Sequence, residues 1–125
     1  MNTVFDLETA SAQQVAEHIV RHLLTQNRQA IDPVAGQCMM AVGDMRCAAG
    51  SLLTDKFVQE LRDANRLHVG WYALVVRKYV PTTHEDLIRD FQCVHDKSEV
   101  CDWRRLCLYL LDKHDLDVAF MEAIP

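Results

Sequence analysis

Toward the C-terminal end, Val100, Trp103, Leu106, Cys107, Leu110 and Leu111 recur at spacings of three and four. A helix of 3.6 residues per turn places these positions on one stripe, and a stripe this apolar must be covered by other elements. This strongest amphipathic pattern in the chain predicts a central core helix, opened by Ser98 and closed at His114-Asp115. The remaining segments have to supply the surfaces that pack around it.

They are numerous enough to do so. With 125 residues, half of them hydrophobic and 25% charged, the chain can bury one self-sufficient core without metal or disulfide support. Four Gly and three Pro are too few for a collagen-like or low-complexity protein, and no repeat, linker or composition break divides residues 1–125. In the N-terminal half, Val15, Ile19 and Leu23, flanked by Ala16, Val20 and Leu24, form a second helical stripe between an N-cap at Ser11 and a stop at Asn27. Asp32-Pro33 makes that helix end before Ile31. Cys38 to Val42 and Met45 to Cys47, around Gly43-Asp44, predict a small β-hairpin. The small residues of Ala48-Ala49-Gly50-Ser51 follow, and Gly50 suits a close backbone approach. Thr54 or Asp55 caps a further helix with Phe57, Val58 and Leu61 inward.

Trp71 to Val80 is rich in β-branched and aromatic residues but lies between helical segments, and it is read as a helix ended by Pro81. Thr83 is the expected cap of the next helix, with Glu85 and Asp86 in its first turn and Leu87, Ile88, Phe91 and Val94 inward. A tail from Leu116 to Ile124 is expected to dock through Val118 and Phe120. The predicted fold is mainly α, a single domain of about five helices with a small β-hairpin between the first and second.

Charge and cysteine usage narrow the function classes. Thirteen Lys and Arg against 18 Asp and Glu leave a net charge of −5 and no basic stripe, so direct nucleic-acid binding and broad phosphate binding are disfavoured. Gly36, Gly43, Gly50 and Gly70 fall into no phosphate-loop spacing. The five cysteines, Cys38, Cys47, Cys93, Cys101 and Cys107, are odd in number and unpaired in pattern, and they read as free thiols filling space. Met1 to Glu8 lacks the basic and apolar regions of a leader, and no stretch is apolar enough for a membrane span, so the expectation is a cytoplasmic protein that makes no membrane contact.

Two blocks carry a resemblance. Cys38, Gly43 and Arg46-Cys47-Ala48-Ala49-Gly50-Ser51-Leu52-Leu53-Thr54-Asp55 form the first; Leu87 to Phe91 with Gln92, Val94, His95-Asp96 and Trp103 form the second. In order and separation they resemble a family of small uncharacterised proteins common in phage and prophage genomes. No activity is attached to that family, so the resemblance implies a genomic setting more than a reaction.

Three chemistries compete with structural roles for the same residues. Adjacent His95 and Asp96 invite comparison with metal-dependent phosphohydrolases, with His68, His84, Asp112 and Asp115 as further ligands by count. The structural reading has His95 donate to a carbonyl or carboxylate while Asp96 or Ser98 caps the next helix. A zinc site from Cys93, His95 and Cys101, or from Cys38 and Cys47, matches no usual ligand spacing. Cys47, preceded by Arg46, is the one cysteine with a local hint of a stabilised thiolate, against the reading that it fills space beneath the hairpin. Arg104-Arg105 and Arg77-Lys78, the adjacent basic pairs, read as solvated faces.

The structural readings prevail, and the expected function is that of a small non-enzymatic binding protein without cofactor or bound metal, phage-derived, which occupies a surface on a host or phage protein. An inhibitor of a defence or nucleic-acid-processing system would suit the acidic charge. The alternative is a small metal-dependent hydrolase using His95 and Asp96. Trp71, Tyr72 and Arg77 are the candidate binding residues by type, and an exposed part of Trp71 and Tyr72 leaves a homodimer open.

Overall fold

The computed structural model describes all residues from Met1 to Pro125. Its elements run α1 (Ala12–Gln26), β1 (Ala41–Val42), β2 (Met45–Arg46), α2 (Asp55–Asp63), α3 (Trp71–Val76), α4 (Glu85–Lys97) and α5 (Trp103–Lys113). Short 3-10 turns cover Gly50–Leu52, Val100–Asp102 and Ala119–Ala123. The five helices and the antiparallel hairpin between the first two match the predicted fold class. No helix is long and apolar enough to cross a membrane.

Helix α1 begins and ends as its sequence dictates. The Ser11 hydroxyl accepts from the Gln14 N–H and the Gln14 side chain accepts from the Ser11 N–H, a complete capping box. Asn27 terminates it in the left-handed region, at φ 51°, a conformation asparagine tolerates better than most residues. Val15, Ala16, Ile19, Val20 and Leu23 are all buried on its inner face. Helix α2 is likewise capped, by the Thr54 hydroxyl accepting from the Phe57 N–H.

The hairpin pairs Ala41 with Arg46 and Val42 with Met45 around Gly43, whose positive φ of 58° closes the turn. Gly50 sits where the chain returns beneath it: a Cβ there would collide with the Met40 carbonyl, so the small-residue run does bring backbones together. Helices α1, α4 and α5 pack on one another around a single cluster of 29 buried residues to which all five helices contribute, which makes one core of the whole chain. Trp103, Phe91, Ile19, Leu23 and Leu111 are among its largest fully buried side chains.

Glutamine side chains stitch these elements together. Gln26 accepts from the Arg46 N–H and donates to the Arg46 and Arg28 carbonyls. Gln13 treats Asp117 the same way, accepting from its N–H and donating to its carbonyl. Gln92 accepts from the Ala49 N–H, and Gln29 donates to the His95 carbonyl. Each bond satisfies backbone that no helix or strand could pair.

Several boundaries differ from expectation. Helix α3 stops at Val76 and does not reach Pro81, because Lys78 turns left-handed at φ 62° and sends Val80 into the core. The cap of α4 is His84, not Thr83; it is itself left-handed, with no side-chain cap bond, and its Nε2 is held on the Ala10 carbonyl. Ser98 closes α4 and does not open α5, which starts five residues later after a 3-10 turn. Asp96 caps nothing, its carboxylate being taken by His95 and Gln92. Leu106 is only half-buried: the buried line is Trp103, Cys107, Leu110 and Leu111, and Leu106 lies on its flank. The tail docks through Met121 and Ile124; Val118 is exposed and Phe120 half-buried under the Arg21 guanidinium, 5.3 Å from its ring centroid. In these places tertiary hydrogen bonds and packing prevailed over local propensity.

Candidate functional site

His95 lies in the last turn of α4, is 0% exposed, and packs against the Trp103 ring at 5.5 Å between centroids. The Ala30 N–H donates to its Nε2 at 2.9 Å. A backbone N–H can only donate, so Nε2 carries the lone pair and Nδ1 carries the proton, which it donates to Asp96 Oδ1 at 2.7 Å. The ring is a clamp between α4 and the segment that follows α1.

Cys38 completes this cluster. The Cys38 thiol, His95 and Asp96 form the one group of three ligand-type side chains whose donor atoms come within 4.8 Å of each other. The donor set does not suit a cation: both imidazole nitrogens are engaged, and Cys38 is pushed up to about 11 by burial and by the nearby Asp96 carboxylate. His68, His84, Asp112 and Asp115 are not brought to His95, and Cys93 and Cys101 are both exposed while His95 is buried. Cys47 is not part of the cluster around Cys38 either, so none of the three anticipated ligand sets for a metal assembles.

Cys47 is buried, as are Ala48 and Ala49 after it. Burial pushes its thiol up to about 12, in spite of the Gly50 N–H donating to the sulfur at 3.2 Å. Arg46, the residue that hinted at an activated thiolate, turns away to Asp55, with Nη2 2.6 Å from Oδ1. Cys107 is also buried and pushed up to about 12. These thiols are space-filling.

Of the binding candidates, Trp71 is 6% exposed and its Nε1 is buried without a partner, so it is a core residue and no surface anchor. Tyr72 is 71% exposed and Arg77 is exposed as well. Val76, one turn after Tyr72, and Tyr79 are also exposed, so α3 and the turn beyond it present an aromatic and aliphatic face edged by Arg77 and Lys78.

One surface feature lies outside every candidate site that the sequence points to. A groove of about 520 Å³ runs between α1 and the segment from β2 to the start of α2; His18, Arg21, His22, Thr25, Arg46 and Asp55 contribute to its lining. His18 and His22 stand one turn apart on α1, and each Nε2 donates to a backbone carbonyl across the groove, of Ser51 at 2.8 Å and of Arg46 at 3.0 Å. Burial, aided by the neighbouring His18, His95 and Arg46 side chains, lowers His22, against the opposing effect of its carbonyl hydrogen bond. Burial also lowers Arg46, whose Nη1 has no partner. The signal available in advance was the i, i+4 spacing of His18 and His22 with Arg21 between them. Arg46 could not be linked to them before the hairpin was placed over α1.

No protein-family model, curated protein or solved structure matches the chain.

Proposed function

We propose that the protein acts by binding a protein partner and not by turnover, with the α3 face of Tyr72, Val76, Tyr79 and Arg77 as its contact surface. The observation that carries this reading is the contrast in exposure: these side chains lie open on one short helix and its following turn, whereas His95, Cys47 and Cys107 are buried and committed to internal contacts. Tyrosine and arginine are the residue types that anchor interfaces, because each brings large contact area together with a polar tip. The resemblance to small phage and prophage proteins favours an accessory role, occupying a surface on a host or phage protein, with inhibition of a defence or nucleic-acid-processing system as the specific form. The net charge of −5 favours a partner with a basic surface around the contact, since it speeds encounter.

Affinity capture from a bacterial lysate, with wild-type protein and a Tyr72→Ala/Arg77→Ala variant side by side, tests the reading. A partner retained by the wild type, lost with the variant and weakened by added salt supports it. Hydrolysis of nucleotides or phosphodiesters by the purified protein, abolished in a folded His95→Gln/Asp96→Asn variant, would replace it with the hydrolase alternative.

A further inference from the structure

The groove between α1 and the β2-to-α2 segment reverses the charge of the molecule around it. Arg21 and Arg46 against Asp55 give its lining +1 even with both histidines neutral, on a chain of net −5. We propose that this groove binds a phosphate-class oxyanion, which takes the place of the Asp55 carboxylate on Arg46 and is held from the α1 side by Arg21, His18 and His22. The chain-wide acidity that disfavours broad phosphate binding leaves room for one local site of this kind.

Three observations converge on it. First, the Arg46 guanidinium is short of acceptors: Nη1 is buried without a partner, and the one carboxylate on Nη2 belongs to Asp55, whose side chain is 99% exposed. An exposed carboxylate is a weak and readily displaced partner, and an oxyanion offers more acceptor atoms in the geometry a guanidinium prefers. Second, His18 and His22 are fixed by their carbonyl hydrogen bonds with Nε2–H committed, and Nδ1 of each ring has no partner in the protein. On protonation each Nδ1 becomes a donor, so two further donors one helical turn apart are available to the same ligand. Third, Thr25 and Gln26 add uncharged polar residues to the same lining, beside the aliphatic Val4 and Leu53.

The chemistry makes binding proton-linked. The groups facing His22 are His18 and Arg21 on its own helix, Arg46 and Asp55 across the groove, and His95 from α4. Burial first, and then Arg46 and the other imidazoles nearby, disfavour a proton on His22; a bound anion offsets the charge part of this, so phosphate and protons bind cooperatively. Each unit by which phosphate raises the His22 midpoint corresponds to about tenfold tighter binding to the protonated form.

The test is an NMR titration of the His18 and His22 rings with inorganic phosphate, against chloride at matched ionic strength, near pH 6 and again near pH 8. Saturable shifts confined to the groove, tighter binding at the lower pH and a raised His22 midpoint are expected. Asp55→Asn should bind more tightly and Arg21→Ala more weakly. His22→Gln, whose amide can still donate to the Arg46 carbonyl, should lose much of the pH dependence. A nucleoside monophosphate and a phosphoserine peptide form separate arms: equal affinity for all three identifies a phosphoryl site alone, and preference for one ester identifies its source. Shifts in phosphate no larger than in chloride, or affinity unchanged by both Asp55→Asn and Arg21→Ala, overturn the proposal.

Discussion

Replacing His95 with Leu tests whether this residue is a brace. The exchange keeps an apolar body of similar size beside Trp103 but removes the acceptor for the Ala30 N–H and the donor to Asp96. Ala30 is fully buried, so its N–H is left without a partner at a cost of about 1–3 kcal/mol. The lost bond to Asp96 adds roughly 1 kcal/mol, held down because that carboxylate is partly exposed and can rehydrate. A loss of about 3 kcal/mol is therefore expected. For 125 residues the unfolding entropy is on the order of 260 cal/mol/K, so Tm should fall by about 11 °C. Urea denaturation followed by circular dichroism reads the loss directly, with an unchanged slope showing that the native state stays compact. Asp96→Asn retains an acceptor for Nδ1–H and should cost less than half as much. A His95→Leu loss below about 0.5 kcal/mol, or an Asp96→Asn loss as large as that of His95→Leu, would refute the clamp.

Four further outcomes follow from the same structure. Phe91→Ala, at a fully buried position, should cost about 3–5 kcal/mol, whereas Leu106→Ala at its half-buried flank should cost less than about 2 kcal/mol; similar losses in urea denaturation would mean the α5 stripe is misassigned. Gly50→Ala should destabilise by more than about 2 kcal/mol, because the Met40 carbonyl and the Cys47 sulfur occupy the space a methyl needs; a wild-type Tm would contradict that packing. Thiol titration of the native protein near pH 8 should show Cys93 and Cys101 reacting fast, Cys38 slowly, and Cys47 and Cys107 only on unfolding; a fast-reacting Cys47 would contradict its assignment as filler. Because His22 lies below its ordinary 6.5 in the folded state, the unfolded chain binds that proton more readily. Stability from this residue is thus complete above about pH 6.5 and is lost as pH falls below it, and His22→Gln should flatten that part of a Tm-versus-pH curve.

What the sequence made legible and what it hid divide along the range of the interactions. The periodicity of Val15, Ile19 and Leu23 and the Ser11 cap define α1 within a few residues of chain, and the structure keeps both. The Trp103 stripe was legible for the same reason. Thr83 and Ser98 were misread because each is a good cap locally, while the actual starts of α4 and α5 are set elsewhere. His84 is drawn to the Ala10 carbonyl 74 residues away, and the packing of Trp103 decides where regular helix resumes after the 3-10 turn. The site followed the same rule. His95 and Asp96 are adjacent and were noticed, but their meaning depends on the Ala30 N–H, 65 residues distant. Pairing His18 and His22 with Arg46 needed the hairpin laid over α1, which spacing alone does not specify. Trp71 and Tyr72 are neighbours of similar type, and only the orientation of α3 in the core separates the buried one from the exposed one.

The glutamines that stitch the fold also limit which isosteric exchanges it tolerates. Gln13 and Gln26 each meet the N–H and the carbonyl of a single residue, so each must present an acceptor and a donor at the same end. Glutamate has the same shape but two acceptors, and it would turn one of each pair of attractions into a repulsion between oxygens. Leucine or methionine would leave the Arg46 or Asp117 N–H unpaired, the Arg46 carbonyl keeping His22 as its donor, but would add no repulsion. At these two positions the exchange that ordinarily counts as the mildest, Gln→Glu, is therefore the one the architecture resists, and a tolerance map of the protein should rank it below replacement by an apolar side chain of similar length.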